Sequence, residues 1–301
     1  MTELSTTLAG LKLKNPLILA SGILGETGES LLKVAKAGAG ALVTKSIGLE
    51  PSSGYANPTV VELEYGLLNA IGLANPGIEE YDKELKIALK SKVPVIGSIF
   101  GKTPEEFAEL AKRMQGLGAH TLELNLSCPH AKGYGVELGR DAKLVYEVVK
   151  KVKSSVKIPV FAKLSNINII EVAKSAQHAG CDALVAINSA KAMKIDVNLK
   201  IPVLSNKTGG YSGPAIKPLG VASVYELAKN VKIPVIGCGG IMTGEDVVEY
   251  LLAGASAVQI GSGVYYRGVD IFKKVCTELS CWMKKNKYKK LDEFVGLALS
   301  E

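Results

Sequence analysis

Apolar residues along this chain gather in short runs, and between the runs they recur at every third or fourth position. Three runs open alike, with Lys92-Val93-Pro94-Val95, Lys157-Ile158-Pro159-Val160 and Lys232-Ile233-Pro234-Val235. Each follows a helical pattern and predicts a strand with Pro at its first position, where a missing N–H does least harm. Between them lie runs led by Gly and a small residue: Gly40-Ala41-Leu42-Val43, Gly118-Ala119-His120-Thr121, Gly180-Cys181-Asp182-Ala183 and Gly254-Ala255-Ser256-Ala257. These predict the intervening strands, each Gly capping the helix before it. With Pro16–Ala20 as the first, the strands number eight.

Helical patterns separate the strands, as at Thr103–Leu117 and Thr243–Leu252, where Thr243-Gly244-Glu245-Asp246 supplies an N-cap and early acidic residues. Eight β-then-α units predict an α/β fold, a (β/α)8 TIM barrel forming a single domain over residues 1–301. Long loops follow strands two, four and six. Lys200-Ile201-Pro202-Val203 falls outside the alternation and predicts an inserted strand after strand six, with Thr208–Pro214 as its turn. The loops at Gly48–Pro76 and Ser189–Pro214 are long enough to carry function.

At 301 residues and 47% hydrophobic, the chain can bury one large core. No apolar run approaches the roughly 20 residues that cross a bilayer, and Met1-Thr2-Glu3-Leu4-Ser5 does not begin a signal peptide, so a cytoplasmic protein without membrane contact is expected. The net charge is +7, but the lysines are spread over every helical pattern rather than gathered with aromatics, which argues against nucleic acid. The one dense run, Lys284–Lys290, reads as a solvated segment after the last helix. A basic surface still favours an anionic small molecule or an acidic partner. Five cysteines, 128, 181, 238, 276 and 281, show no paired spacing, so neither a disulfide framework nor a metal site is expected.

Candidate chemistry collects at the C-terminal ends of the strands, where a barrel builds its site. They end in Ala20-Ser21-Gly22, Thr44-Lys45-Ser46, Asn125-Leu126-Ser127-Cys128-Pro129-His130, Ala162-Lys163-Leu164, Asn188-Ser189, Gly237-Cys238-Gly239-Gly240 and Gly261-Ser262-Gly263. The last two are adjacent glycine turns whose N–H groups can approach a phosphate. Lys45 and Lys163 are anion ligands rather than packing elements, since burying an unpaired lysine is costly. His120 and His178 read as structural.

In these segments the chain resembles the dihydroorotate dehydrogenases. The resemblance runs from about Leu11 to Gly268 and includes Asn69-Ala70-Ile71-Gly72-Leu73 and the stretch Asn206–Ala215. Cys at the base position is similar to class 1, and the Asn206–Ala215 stretch to its B-type catalytic subunits. The resemblance implies FMN and the oxidation of dihydroorotate to orotate in pyrimidine biosynthesis. It implies that Cys128 takes the proton from C5 while hydride leaves C6 for the flavin, that Lys163 faces the flavin N1 edge, and that Lys45 lies between flavin and substrate. Asn69, Ala70, Ile71, Gly72, Leu73, Asn125, His130, Asn188 and Ser189 would surround the substrate. Ser21, Lys45, Ser46, Ser98, Asn125, Lys163, Ile187, Gly213, Gly239, Gly240, Gly261 and Ser262 would line the FMN site. It also implies a homodimer joined to an electron-transfer subunit carrying FAD and an iron–sulfur cluster, which passes electrons to NAD. The family usually has Asn at the positions of His130 and Ser98. Two alternatives stay open at this point: another flavin-dependent pyrimidine oxidoreductase, such as a tRNA-dihydrouridine synthase, and a cofactor-free barrel that binds a phosphorylated metabolite.

Overall fold

The computed structural model describes residues 2–127 and 139–300. The chain opens with a hairpin, β1 (Thr6–Leu8) and β2 (Leu11–Leu13), turned through Ala9 and Gly10, both at positive φ. Then come β3 (Leu17–Leu19), α1 (Gly28–Lys36), β4 (Ala41–Val43), a second hairpin of β5 (Val60–Leu63) and β6 (Gly66–Asn69), and α2 (Ile78–Ala88). The middle of the chain supplies β7 (Val95–Ile99), α3 (Pro104–Gly116), β8 (Thr121–Asn125), α4 (Ala142–Ser155), β9 (Val160–Leu164), α5 (Ile169–His178) and β10 (Ala183–Ala186). Four short strands follow, β11 (Ala190–Met193), β12 (Ile195–Asp196), β13 (Ile201–Pro202) and β14 (Thr208–Ser212). The chain ends with α6 (Lys217–Asn230), β15 (Val235–Cys238), α7 (Gly244–Leu252), β16 (Ala257–Ile260), α8 (Gly263–Arg267) and α9 (Ile271–Lys285).

Strands β3, β4, β7, β8, β9, β10, β15 and β16 are parallel and close into a barrel in that order. The three Lys-(Ile/Val)-Pro-Val segments behave as expected, with Pro one place before the strand proper. The carbonyls of Pro94, Pro159 and Pro234 accept ladder bonds from Leu42, Leu122 and Leu184, so each proline lacks only a donor that no neighbour needs. Thr103 and Thr243 cap their helices as anticipated, the latter in a reciprocal capping box with Asp246. One cap differs: Gly38, at φ +109°, closes α1, whereas Gly40 passes so close to Asn15 that a Cβ would sit 2.2 Å from its carbonyl oxygen.

Alternation along each strand sends one residue in two to the barrel interior. The lower interior is hydrocarbon: Ile18, Ala41, Val43, Ile96, Phe161, Ala183, Val185, Ile236 and Ala257 form one cluster, into which Leu8 and Leu13 of the β1–β2 hairpin plug from below. The outward residues join the inner faces of the helices in a second, larger core. Residue Glu3 bridges to Lys290, which ties both chain ends to this region. Part of the lysine run belongs to α9 itself, whose last turn holds Lys284 and Lys285, and Tyr288 folds back to stack on Trp282.

The two long loops are not loops. They supply the strands of a four-stranded sheet, β11-β14-β6-β5. Thr208–Ser212, expected as a turn, is a strand with partners on both sides. Its glycines serve close approach instead of reversal, because a Cβ at Gly209 would lie 2.6 Å from the Asn69 carbonyl oxygen and 2.6 Å from Leu204. The inserted strand predicted near Ile201 exists as β13, paired with β12. Among the described residues no helix is long and apolar enough to cross a membrane.

Because Leu8 is fully buried in the barrel floor, Leu8→Ala should cost about 2–5 kcal/mol of unfolding free energy, the usual loss for a large core truncation. Urea unfolding followed by circular dichroism measures it, and a change under 1 kcal/mol would show that the hairpin is not part of the barrel core.

Candidate active site

Above the hydrocarbon layer the inward positions turn polar. Ser98 on β7, Glu123 and Asn125 on β8, Lys163 on β9, Cys238 on β15 and Gln259 on β16 occupy the upper interior, with Ile96, Phe161, Ile236 and Ala257 one inward step below Ser98, Lys163, Cys238 and Gln259, and Thr121 below Glu123. Over them lies a cavity of about 390 Å³, within the size range of cofactor and ligand sites. Its walls come from the strand ends and its far side from the small sheet, through Val60, Leu67, Asn69 and Ser212.

A buried ionic triad forms the floor. Lys163 Nζ donates to Gln259 Oε1 at 2.8 Å, Gln259 Nε2 donates to Glu123 Oε2 at 2.5 Å, and the ammonium lies 3.6 Å from Glu123 Oε1. Burial alone would lower the pKa of Lys163, but the Glu123 carboxylate, helped by Cys238, raises it above the usual lysine value. Lys163 is therefore a fixed cation. Burial pushes the Cys238 thiol up despite Lys163 beside it, so it stays protonated at neutral pH.

A chain of hydroxyls and amides runs along one wall. Ser21 Oγ donates to the Thr44 carbonyl at 2.8 Å, its oxygen lies 3.2 Å from Ser46 Oγ, and Asn125 Nδ2 donates to Ser46 Oγ at 3.1 Å. Asn188 Nδ2 donates to Ser127 Oγ at 2.9 Å, and Asn69 Nδ2 donates to the Gly210 carbonyl at 3.1 Å. Each amide is thus oriented by the protein while facing the cavity. Lys45 also lines it, and its ammonium makes no ion pair among the described residues.

On the opposite side, the backbone N–H groups of Gly239, Gly240, Gly261 and Ser262 donate to no described residue. Gly240 must be glycine: its φ is +69°, and a Cβ would meet Lys217 Cβ at 2.7 Å and the Gly213 carbonyl at 2.9 Å. Four unsatisfied donors in adjacent turns form a cradle for an anion. Lys217 braces that cradle by pairing with Asp246 and Glu249, each at 2.7 Å, while Asp246 accepts the N–H bonds of Met242 and Thr243.

A family model described as dihydroorotate dehydrogenase matches residues 3–283. Relatives named dihydroorotate dehydrogenase B (NAD(+)), catalytic subunit, are 54% identical in Methanocaldococcus jannaschii (98% of each chain covered), 54% in Pyrococcus abyssi (98% and 99%) and 50% in Thermoplasma acidophilum (99% and 100%). The chain belongs to the dihydroorotate dehydrogenase family. It is an oxidoreductase of that family, and its barrel superposes on the Eimeria tenella DHODH crystallised with ferulenol at a TM-score of 0.87, with 23% identity, covering 99% of this chain and 89% of that one.

Of the residues expected from the sequence of this dihydroorotate dehydrogenase family member, the cavity brings together Ser21, Lys45, Ser46, Asn69, Ile71, Gly72, Leu73, Asn125, Lys163, Ile187, Asn188, Ser189, Gly239, Gly240, Gly261 and Ser262. Three do not line it. Ser98 is fully buried behind Ser46, to whose hydroxyl it bonds at 2.8 Å. Ala70 packs with Leu68 and Leu204, and Gly213 abuts Gly66 and Gly240. Cys128 and His130 lie outside the described residues. His178 is exposed at the end of α5, and His120 accepts the Val95 N–H at 3.2 Å.

The sequence reading missed Glu123, Gln259, Cys238 and Tyr265 as cavity or floor residues. Glu123 carried a signal, since Thr121-Leu122-Glu123-Leu124-Asn125 alternates and sends a carboxylate inward two places before Asn125. Tyr265 carried none; it lines the cavity from α8 and donates to Glu62 Oε2 of β5 at 3.0 Å.

Burial opposes ionisation of Asp246, but Lys217 and two backbone N–H groups outweigh it and hold its carboxyl below the ordinary value of 3.8. A depressed folded pKa means stability present above the unfolded value and lost as pH falls through the folded one. Asp246→Asn should therefore cost about 0.5–2 kcal/mol near pH 7, as for lost helix caps. The difference from the parent should shrink as the pH drops below 3.8, which thermal unfolding at several pH values measures.

Proposed function

We propose that the chain oxidises dihydroorotate to orotate with FMN held in the barrel cavity, as the catalytic subunit of an enzyme that passes the electrons to NAD through a partner. The observation that carries this reading is the layout of the cavity, with a fixed cation in its floor, free N–H donors on one side and oriented amides on the other. Its chemistry fits FMN: the cradle at Gly239, Gly240, Gly261 and Ser262 suits the phosphate, and Lys163 suits the ring edge where negative charge gathers on reduction. When bound, FMN supplies the acceptor for the hydride that leaves C6 of the substrate.

The chain's own residues supply the rest. Cys128 is the general base that removes the C5 proton, and it returns that proton to solvent before the next turnover. A free thiol near pKa 8.5 is poised for this work. Asn69, Asn125, Asn188 and Ser189 hold the pyrimidine and its carboxylate, with Lys45 as counter-charge and His130 as a further donor. A ring with a different donor pattern would leave those amides unpaired, which is a strong source of rejection. The small sheet, latched by Tyr265 to Glu62, keeps water from the reacting atoms.

The curated relatives carry NAD(+) and "catalytic subunit" in their names, which supports a further subunit and NAD as the acceptor; the proposal completes this with a cytoplasmic homodimer whose electron-transfer partner bears FAD and an iron–sulfur cluster. The purified chain, expressed with riboflavin available, should be yellow and release one FMN per chain. Folded protein from which mass analysis extracts no flavin would end this reading. Cys128→Ala should keep the flavin but slow its reduction by dihydroorotate about 100-fold or more. Stopped-flow absorbance reads this, and unchanged kinetics would remove Cys128 as the base. With dihydroorotate as donor, the isolated chain should turn over a dye but neither NAD nor fumarate. Rapid turnover with NAD would dispense with the partner, and rapid turnover with fumarate would make the chain self-sufficient.

A further inference from the structure

The triad in the cavity floor asks for an explanation beyond a cation for the ring. Glu123 is wholly buried, Gln259 is 1% exposed and Lys163 is 5% exposed, directly above a layer of hydrocarbon. Burying an ion pair in such surroundings is a poor way to stabilise a fold, because desolvation consumes most of the attraction. One inward step lower the same three strands carry Thr121, Phe161 and Ala257, none of them charged.

The geometry of the triad is specific. The Gln259 amide has its oxygen on the ammonium and its N–H on the carboxylate, so it links the two charges and holds them slightly apart. The ammonium therefore stands 3.6 Å from Glu123 Oε1, beyond a direct hydrogen bond, and that oxygen has no hydrogen-bond donor among the described residues. Both Glu123 and Lys163 line the cavity. A ring lying there meets a cation whose field is cut back by a carboxylate behind it.

We propose that Glu123, joined through Gln259, is a positioning residue that sets how much positive charge Lys163 presents to a bound flavin, and so how readily that flavin accepts electrons. The proposal rests on the FMN reading above. Reduction adds negative charge to the ring. Without the carboxylate, burial works against the Lys163 charge until the negative charge of a reduced ring restores it, so reduction would draw a proton to Lys163 and the reduced form would be favoured strongly, whereas a compensated Lys163 leaves the electrons free to move to a further acceptor. Glu123 acts through Lys163 and needs no contact with the substrate.

The test is the midpoint potential of the FMN-bound protein, read by reduction in the presence of a reference dye. Glu123→Gln removes the charge and keeps the shape, and Glu123→Met removes the charge with an apolar side chain of similar volume. Either should shift the reduction equilibrium at least tenfold toward the reduced form, which is about 30 mV for a two-electron couple. Glu123→Asp, which keeps the charge but shortens the reach to Gln259, should stay near the parent. An unmoved potential in the neutral variants, or an equal shift in all three, would overturn the proposal. So would failure of both neutral variants to fold with flavin, which would assign the carboxylate to the fold alone. A parent protein that folds without flavin would remove the reading beneath the proposal, a failure visible before any variant is made.

Discussion

A closed barrel of eight parallel strands has an interior that must be filled, and the strand period of two leaves each strand only one inward side chain per layer. This chain resolves that constraint by dividing the interior at mid-height. Below, hydrocarbon from seven of the eight strands meets the hairpin leucines 8 and 13, while β8 supplies the buried Thr121, whose hydroxyl has no partner among the described residues. Above, the same strands turn inward a serine, a glutamate, an asparagine, a lysine, a cysteine and a glutamine. Those polar groups are held largely by one another, with Glu123 Oε1 the exception that lacks a donor among the described residues. The Lys163–Gln259–Glu123 network and the Ser21–Ser46–Asn125 chain are therefore conditions for the barrel to hold its shape as well as the chemical surface of the site.

The anion cradle depends on a different kind of constraint. Gly239 and Gly240 leave their N–H groups free because the backbone there runs at positive φ, and that path is held from behind by Lys217 and its two carboxylates. The donors are fixed before any ligand arrives, so little reorganisation accompanies binding. The other wall works through side chains: the amides of Asn69, Asn125 and Asn188 each donate to a protein oxygen, and the Asn125 and Asn188 oxygens accept from Ser127 and Ser189, so the protein fixes all three as they face the cavity.

Much of this was legible in the sequence, for reasons that differ by residue. The prolines at 94, 159 and 234 and the glycines at 118, 180 and 254 mark strand and helix ends because local backbone geometry restricts what can stand there. Lys45, Lys163 and the glycine turns were readable because strand ends in a parallel barrel converge on one mouth. Thr208–Ser212 was misread because glycine serves both reversal and close approach, and only the position of Asn69 and Leu204 decides between them. Ser98 was assigned to the FMN site through the family resemblance, and in the fold it stands behind Ser46, bonded to its hydroxyl. Glu123 and Gln259 lie on strands 136 residues apart, and no local pattern reveals that the two meet.

The small sheet over the mouth is stitched by a ladder between Leu67–Asn69 and Gly210–Ser212, with Asn69 and Gly210 separated by 141 positions in the chain. Closing so long a loop is entropically expensive until the barrel has already brought both insertions to the same rim. The pairing of the cover thus depends on the barrel that brings its two halves together. The cover holds one small apolar cluster of its own, Leu68, Ala70 and Leu204, so it opens at less cost than the barrel beneath it. The barrel's charges are thus held by eight strands, and the surface above them by a sheet with a far smaller core of its own.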